Sequence, residues 1–553
     1  MPRLRIALAQ INTCVGDIAG NAALVTKSCR AAHEAGADLV LFPEMTTTGY
    51  PIEDLALRES FQRAAERSAQ RIAADLASEG LGHLIVVLGT LGVARSGRPF
   101  NQAVVITGGE ITARYNKHHL PNYGVFDERR IFAAGEDRCV VDVHGRRIGV
   151  VICEDIWADG GPVSQMDGAG IDLLTVLNGS PFEEGKGHAR TELAQRRARE
   201  VGAPVAYVNL WGGQDDLVFD GHSFIVGPDG TVLASAPGFG DALLVWDLPD
   251  KADSARASSP DRSQLAEQTT DDEQVYRACV TGLRDYVLKN GFRSVLLGLS
   301  GGIDSALTAA IAADALGGTN VVGVSMPSSF SSEHSKDDAA DLAKRLGADF
   351  RVQPIAAMVD GFQQDLALDG VAEENLQARI RGVILMAISN REGHLVIAPG
   401  NKSELATGYA TIYDAGSIGG FAPLKDVDKS RVWELARWRN AHAEANGETP
   451  PIPVNSIEKP PSAELRPGQT DQDSLPPYEV LDEVLDAYVE HAEGRAELLA
   501  RGYDETVVDT VLALVDRAEW KRRQYPPGPK VTALAFGRDR RLPITSRWRE
   551  NAE

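Results

Sequence analysis

The sequence has few cysteines, five in all at positions 14, 29, 139, 153 and 279, and no CxxC pair. Neither a disulfide framework nor a zinc cluster is therefore expected. It has no run near the roughly 18 apolar residues that a bilayer crossing needs. Its first residues, "MPRLRIALAQ", lack the apolar core of a secretory signal. It also lacks positive charge: 56 Lys and Arg stand against 78 Asp and Glu, a formal net charge of −22. That balance repels nucleic-acid backbones and anionic membranes, and the longest basic cluster is the short "WKRRQ" at 520–524. The expectation is a cytoplasmic protein in a reducing compartment, with small-molecule partners, no nucleic acid and no membrane.

The rest of the composition is that of a folded protein, with 43% hydrophobic and 24% charged residues. A length of 553 residues exceeds what one core supports, so two domains are expected. The polar stretch 251–271 reads as a linker between a domain at 1–250 and another at 272–553. In the first, apolar runs such as "RIALAQI", "LIVVLGT", "IGVVICE" and "DLLTVLN" alternate with helical stretches at 20–35 and 188–201, an α/β pattern with a buried sheet. In the second, helix 272–290 leads to "SVLLGLS" and then to helix 304–316, "NVVGVSMP" and helix 335–347. Strand and helix alternating at this spacing imply a doubly wound, mostly parallel sheet with ligands beyond the carboxyl ends of its strands. The Pro-rich stretch 445–477 is long enough to act as a lid.

"GLSGGIDSAL" at 298–307 joins a strand to a helix through a glycine turn, where backbone N–H groups and the positive helix end favour an anion. The lysine that neutralises a transferred terminal phosphate in other phosphate loops is missing. Backbone donors, hydroxyls and Asp304, a potential magnesium ligand, stand in its place. The S-G-G-x-D-S pattern resembles the ATP pyrophosphatase family, which implies that ATP is attacked at its α phosphate and that the loop holds the departing pyrophosphate.

Three residues of the first domain form an amide-cleaving set. Cys153 ends an apolar strand, Glu44 of "LFPEMTTTGYP" lies at another strand end, and Lys117 of "RYNKHHLPNY" comes from a separate segment. Amide cleavage uses a thiolate nucleophile, a carboxylate that takes and returns its proton, and a cation for the tetrahedral oxyanion. Lys117 near Cys153 is expected to favour the thiolate. The three motifs resemble those of the nitrilase, or carbon-nitrogen hydrolase, superfamily, which implies Glu44 as base, Lys117 as oxyanion partner and Cys153 as nucleophile. His118, His119 and the other four cysteines read as structural.

Fused in this order, the halves are similar across nearly the full chain to the glutamine-dependent NAD(+) synthetases. "SMPSSFSSEHS", "EENLQARIRGVILM", "GNKSELATGYATIYD" and "KRRQYPPGPKVTALAFGRDRR" carry the likeness. It implies an N-terminal nitrilase-like α-β-β-α sandwich, a C-terminal domain like the adenine nucleotide α-hydrolases, and a homo-oligomer. It implies ammonia from glutamine, passed through a dry passage, and ATP-driven amidation of nicotinic acid adenine dinucleotide (deamido-NAD). By resemblance Tyr123, Ser180 and Lys186 position glutamine. Gly298, Leu299, Ser300, Gly301, Gly302, Ile303, Asp304 and Ser305, with Pro399, hold ATP as co-substrate. Asp304 and Glu404 hold Mg2+, and Asn375, Glu404 and Lys521 contact deamido-NAD. Two positions depart from the family: Pro399 replaces a usual threonine, and "YDAGSIGG" is one residue longer than "YGDMAGG". A stand-alone amidase that only senses nucleotide is the rival enzyme reading, and a scaffold with degenerate sites the non-enzymatic one.

Overall fold

The computed structural model describes residues 4–93, 97–166, 168–250, 262–462, 464–466 and 468–550. The chain divides into two compact units, Met1–Gln214 with Val218–Thr269, and Asp215–Leu217 with Thr270–Glu553. Residues 251–261 of the expected linker lie outside the described residues.

The first unit is built on two six-stranded sheets. In chain order its strands are β1 (Leu4–Gln10), β2 (Leu39–Leu41), β3 (Ile85–Gly92), β4 (Phe100–Thr107), β5 (Glu110–Asn116), β6 (Cys139–Val143) and β7 (Arg146–Ile152). There follow β8 (Leu173–Asn178), β9 (Val205–Asn209), the paired β10 (Trp211–Gln214) and β11 (Leu217–Asp220), β12 (Phe224–Val226), β13 (Val232–Ser235) and β14 (Ala242–Leu248). One sheet has the order β14-β1-β2-β3-β4-β5, the other β13-β12-β9-β8-β7-β6.

Period-2 patterning explains how they stack. Along β1, Leu4, Ile6 and Leu8 enter a core shared with Ile148, Val150 and Ile152 of β7. The intervening Ala7 and Ala9 face Val25, Cys29 and Ala32 of helix Ile18–Glu34 and Ile72 and Leu76 of helix Glu59–Ser78. Successive side chains of a strand point to opposite faces, so β1 is apolar on both. Val151 of β7 likewise turns outward against Leu193, Ala194 and Ala198 of helix Lys186–Val201. The result is an α-β-β-α sandwich with one core between the sheets and one under each helical layer. Truncating Ile6, fully buried in the middle core, to alanine costs about 2–5 kcal/mol.

The second unit holds a parallel sheet, β15 (Val295–Gly298), β16 (Val321–Ser325), β17 (Asp349–Val352) and β18 (Leu395–Val396), in the order β17-β16-β15-β18. The chain moves from β15 outward through β16 to β17, then returns to the other side of β15. The carboxyl end of β15 is thus the topological switch point, where doubly wound sheets bind ligands. The sequence "GLSGGIDS" begins there. Helix Asp271–Lys289 starts at Thr270, whose hydroxyl accepts from Glu273 N, a capping residue that the polar linker supplies.

Candidate active site

Glu44, Lys117 and Cys153 come together in the first unit although they follow strands of different sheets. Glu44 lies just past β2, Lys117 directly follows β5, and Cys153 directly follows β7. Lys117 Nζ donates to Glu44 Oε1 at 2.7 Å, with both side chains sealed from solvent at 1% and 0% exposure. Gly179, just past β8, donates its N–H to Glu44 Oε2 at 2.8 Å. A Cβ on Gly179 would sit 2.9 Å from the Tyr50 ring and 3.3 Å from Glu44 Oε2, so only glycine allows that approach. Cys153 has φ +41° and Met45, next to Glu44, has φ +51°. Left-handed backbone in non-glycine residues is strained, and strain of this kind clusters at functional sites.

A fourth charged group completes the cluster. Glu128, also buried, accepts from Lys117 Nζ at 3.0 Å and from the Tyr50 hydroxyl at 3.0 Å, while Asn101 Nδ2 donates to Glu44 at 2.7 Å. Burial alone draws the Lys117 ammonium down, but the Glu128 and Glu44 carboxylates more than reverse that and hold its pKa well above the usual value. Lys117 favours the Cys153 thiolate, as expected, but burial outweighs it. Burial pushes its thiol well above the ordinary value, the Glu44 charge adds to this, and Lys117 opposes without prevailing. The resting group is a thiol, which needs a base to become a nucleophile.

Of the residues expected around glutamine, Ser180 is buried, and its hydroxyl accepts from Arg190 Nε at 3.0 Å. Arg190 also donates to the carbonyls of Ser180 and Pro181 and forks onto Asp220 at 2.7 and 2.8 Å. Lys186 opens helix Lys186–Val201, with its Nζ 3.7 Å from Glu183. Tyr123 is exposed, its hydroxyl donating to Glu154 at 3.0 Å. Glu154 immediately follows Cys153, which places Tyr123 beside the Cys153 turn.

In the second unit Gly298 ends β15 and Ile303 opens helix Ile303–Leu316. Leu299 and Ile303 are buried, so their side chains anchor the turn from beneath. Gly301 has φ +79°, and a Cβ there would stand 2.3 Å from the Ser335 carbonyl. Ser300 Oγ accepts from Gly302 N at 3.2 Å, and Ser305 Oγ donates to Gly302 O at 3.0 Å, which locks the turn from inside. Pro399 lies half-buried on the loop past β18.

Asp304 is held by Lys429 Nζ on one oxygen and by Asn401 Nδ2, at 2.8 Å, on the other. Lys429 is buried at 1% exposure and stands 3.8 Å from Glu404, so one ammonium serves both carboxylates. Burial, then the charge of Asp304, pushes Glu404 up to about 8, with Lys429 pulling it the other way. Among the described residues no group of three or more His, Cys, Asp or Glu side chains is arranged as a metal site. Asp304 and Glu404 offer two carboxylates to this place. Glu404, Thr411, Lys521 and Tyr525 line one pocket. The Thr411 hydroxyl donates to Asn375 at 2.6 Å, which brings Asn375 to the same place. Lys521 donates to the carbonyls of Gly408 and Ala410 at 2.7 and 2.9 Å. Asp414 in the longer "YDAGSIGG" segment caps its own turn, accepting from Gly416 N at 3.0 Å.

Residues 5–257 match a sequence profile described as carbon-nitrogen hydrolase, and residues 275–525 match one described as NAD synthase. A glutamine-dependent NAD(+) synthetase of Rhodobacter capsulatus is 45% identical over 560 residues, covering 100% of both chains. The chain belongs to the glutamine-dependent NAD(+) synthetase family. Another NAD(+) synthetase, of Xanthomonas campestris pv. campestris strain 8004, is 47% identical over 98% of this chain and 97% of its own. The solved glutamine-dependent NAD+ synthetase of Acinetobacter baumannii, in complex with adenosine diphosphate, is 40% identical with a TM-score of 0.77, covering 100% of each chain. The protein is thus a member of a ligase family with a glutaminase domain and an NAD synthase domain.

For this NAD(+) synthetase family member, the sequence reading missed Glu128, Asn101, Arg190 and Lys429. Glu128 of "FDERRIF" and Lys429 of "KDVDKSR" sit in charge runs that look like solvated faces, and no local pattern marks either as buried. Asn375 is expected to contact deamido-NAD. It lies inside helix Gly370–Glu392, whose N-cap position is Asp369.

Proposed function

We propose that the protein amidates deamido-NAD to NAD, consuming ATP and using ammonia released from glutamine at Cys153. One observation carries this reading: a single chain holds a sealed carboxylate–ammonium–thiol cluster and, at a sheet switch point, a lysine-free glycine turn whose aspartate is clamped by Lys429.

In the first site Glu44 takes the Cys153 proton as sulfur attacks the glutamine side-chain carbonyl carbon. Lys117 stabilises the oxyanion, and the proton passes to nitrogen as the C–N bond breaks and ammonia leaves. Water then attacks the thioester as Glu44 takes its proton, the C–S bond breaks, glutamate departs and the proton returns to the Cys153 sulfur. Tyr123, Ser180 and Lys186 hold the substrate. The hydroxyl of Ser180 already accepts from Arg190, so its own proton is left to donate to a substrate oxygen.

In the second site a nicotinate carboxylate oxygen attacks the α phosphorus of ATP, and pyrophosphate leaves within the turn Gly298–Ser305. Ammonia attacks the resulting acyl adenylate and AMP departs. Asn375, Glu404 and Lys521 bind the dinucleotide, and Pro399 contributes its carbonyl near ATP. Asp304 and Glu404 fit a magnesium ion, which is commonly held by one or two carboxylates with phosphate oxygens and water supplying the rest. When bound, that ion neutralises charge on the pyrophosphate. Lys429 holds the two carboxylates together.

The second unit also supports self-association. Met358, Phe362 and Leu366 recur every fourth residue on helix Ala356–Leu366 and are exposed, as are Val371 and Val383 on the following helix. An apolar stripe of this kind marks an interaction face, and a second copy of the chain is the partner proposed. Among the described residues no helix is long and apolar enough to cross a membrane, and a cytoplasmic location is proposed.

The test is an assay of NAD, AMP and pyrophosphate made from ATP and deamido-NAD, with glutamine or ammonium as donor. Release of ADP and phosphate instead would refute the reading, as would glutamine hydrolysis indifferent to ATP and dinucleotide with no NAD formed. Sedimentation velocity of the parent and of Phe362→Glu tests the apolar face.

A further inference from the structure

The geometry points to Asp155 as the residue that sets the spacing between the nucleophile and its cation, which we propose as its role. Asp155 lies two residues past Cys153 and is fully buried, yet it touches none of the reacting groups identified above. Its carboxylate is saturated by four donors. Oδ2 accepts from Ile152 N at 3.0 Å and from the Tyr115 hydroxyl at 2.7 Å. Oδ1 accepts from His118 N at 3.1 Å and His119 N at 2.8 Å.

The positions of these donors carry the inference. Ile152 directly precedes Cys153, Tyr115 lies two residues before Lys117, and His118 and His119 directly follow it. One carboxylate thus grips the nucleophile's turn and brackets the lysine on both sides. The grip crosses the sandwich, since β5 and β7 belong to different sheets. Apolar packing between sheets is non-directional and tolerates small sliding, whereas four hydrogen bonds to one buried carboxylate fix a distance. Cys153 with φ +41° also sits between two of the anchored points, so Asp155 helps hold the strained nucleophile. Asp155 is a positioning residue and acts through Lys117 and Cys153.

This inference rests on the proposed glutaminase role of Cys153, and the test separates the two. Asp155→Asn replaces one acceptor oxygen by a donor that faces other donors. The expected result is a fall of about 100-fold in glutamine-supported kcat, the loss typical of a displacement near 1 Å, with ammonium-supported synthesis kept within a few-fold of the parent. A second readout needs no turnover: the pH dependence of iodoacetamide alkylation at Cys153, followed by mass spectrometry. The charged groups acting on the thiol are Glu44, Lys117, Glu154, Glu128 and Arg190, and the Tyr50, Tyr123 and Tyr207 hydroxyls also face it. Loss of a negative charge alone would move the alkylation profile to lower pH. Displacement of Lys117 moves it to higher pH, and an upward shift is the expected result.

Tyr115→Phe removes one donor with little change of volume and is expected to shift the profile upward by a smaller step. An unchanged or lowered profile in Asp155→Asn, or glutamine use within about threefold of the parent, overturns the proposal. Should Asp155→Asn fail to fold, the Tyr115→Phe profile decides: an upward shift supports the proposal and no shift overturns it. A parent protein that releases no glutamate refutes the glutaminase reading instead, while the alkylation profiles still report on the spacing.

Discussion

Lys429 carries its ammonium onto the Asp304 carboxylate across 125 residues of sequence, and the same ammonium lies 3.8 Å from Glu404. It also sits over the rings of Trp433 and Tyr478, so it is a fixed charge in an apolar wall. This buried cation between two carboxylates lets a turn without its own lysine keep paired acidic groups beside it.

Replacement of Lys429 by methionine therefore removes the cation that Asp304 and Glu404 share and leaves Asp304 held by the Asn401 amide. Breaking a buried pair costs about 3–5 kcal/mol, and NAD formation is expected to fall by at least about 100-fold with glutamine and ammonium alike. Pyrophosphate release measures this. Asp304→Ala is expected to lose synthesis as well, while some glutamate release persists in both variants. Unchanged synthesis in Asp304→Ala would remove it from the ATP site.

Cys153→Ala isolates the other reaction. Glutamine is expected to support no NAD formation, while added ammonium still does. Loss of both activities would contradict two separate sites.

Glu44→Gln separates the charge of the glutamate from its work as a base. Glu44 raises the Cys153 pKa through its negative charge, so the neutral amide lowers it. Alkylation of Cys153 near pH 8 is expected to become faster, while glutamine hydrolysis falls by about 10²–10⁴-fold, the usual worth of a general base. Slower alkylation in Glu44→Gln would show that the glutamate already acts as base in the resting protein.

Arg190→Met tests the clamp beneath Ser180. Burial raises the Asp220 pKa, but Arg190 and His222 outweigh it and leave Asp220 well below the usual carboxylate range. Its stabilisation is present above the ordinary aspartate value of about 3.9 and fades as pH falls below that. Without Arg190 the buried Asp220 carboxylate keeps His222 but loses its guanidinium, with an expected loss of about 3–5 kcal/mol. The urea concentration that abolishes glutamate release is expected to fall, and the acid-dependent part of the parent's stability to disappear.

Much of this was legible in the chain. The apolar runs of β1 and β7 announce strands, and "SGGIDS" after an apolar run announces a glycine turn, because apolar runs and glycine conformation are local properties. Glu44 and Cys153 were expected at the ends of strand-like runs and Lys117 on a separate segment, and the structure brings the three together. The net acidity of Cys153 was not legible, since the balance between burial and opposite charges depends on distances that no spacing in sequence encodes.

Sequence by itself determined the layered α/β halves, the glycine turn and the residue types of both reactions, all consequences of side-chain period and backbone freedom within a few residues. Only the tertiary structure decided that Glu128 shares Lys117 with Glu44, that Lys429 serves Asp304, and that Asp155 reaches across two sheets. Those pairings depend on strand order and on how the sheets stack, which bring distant residues within hydrogen-bond range in a low-dielectric interior where a charge must find its partner.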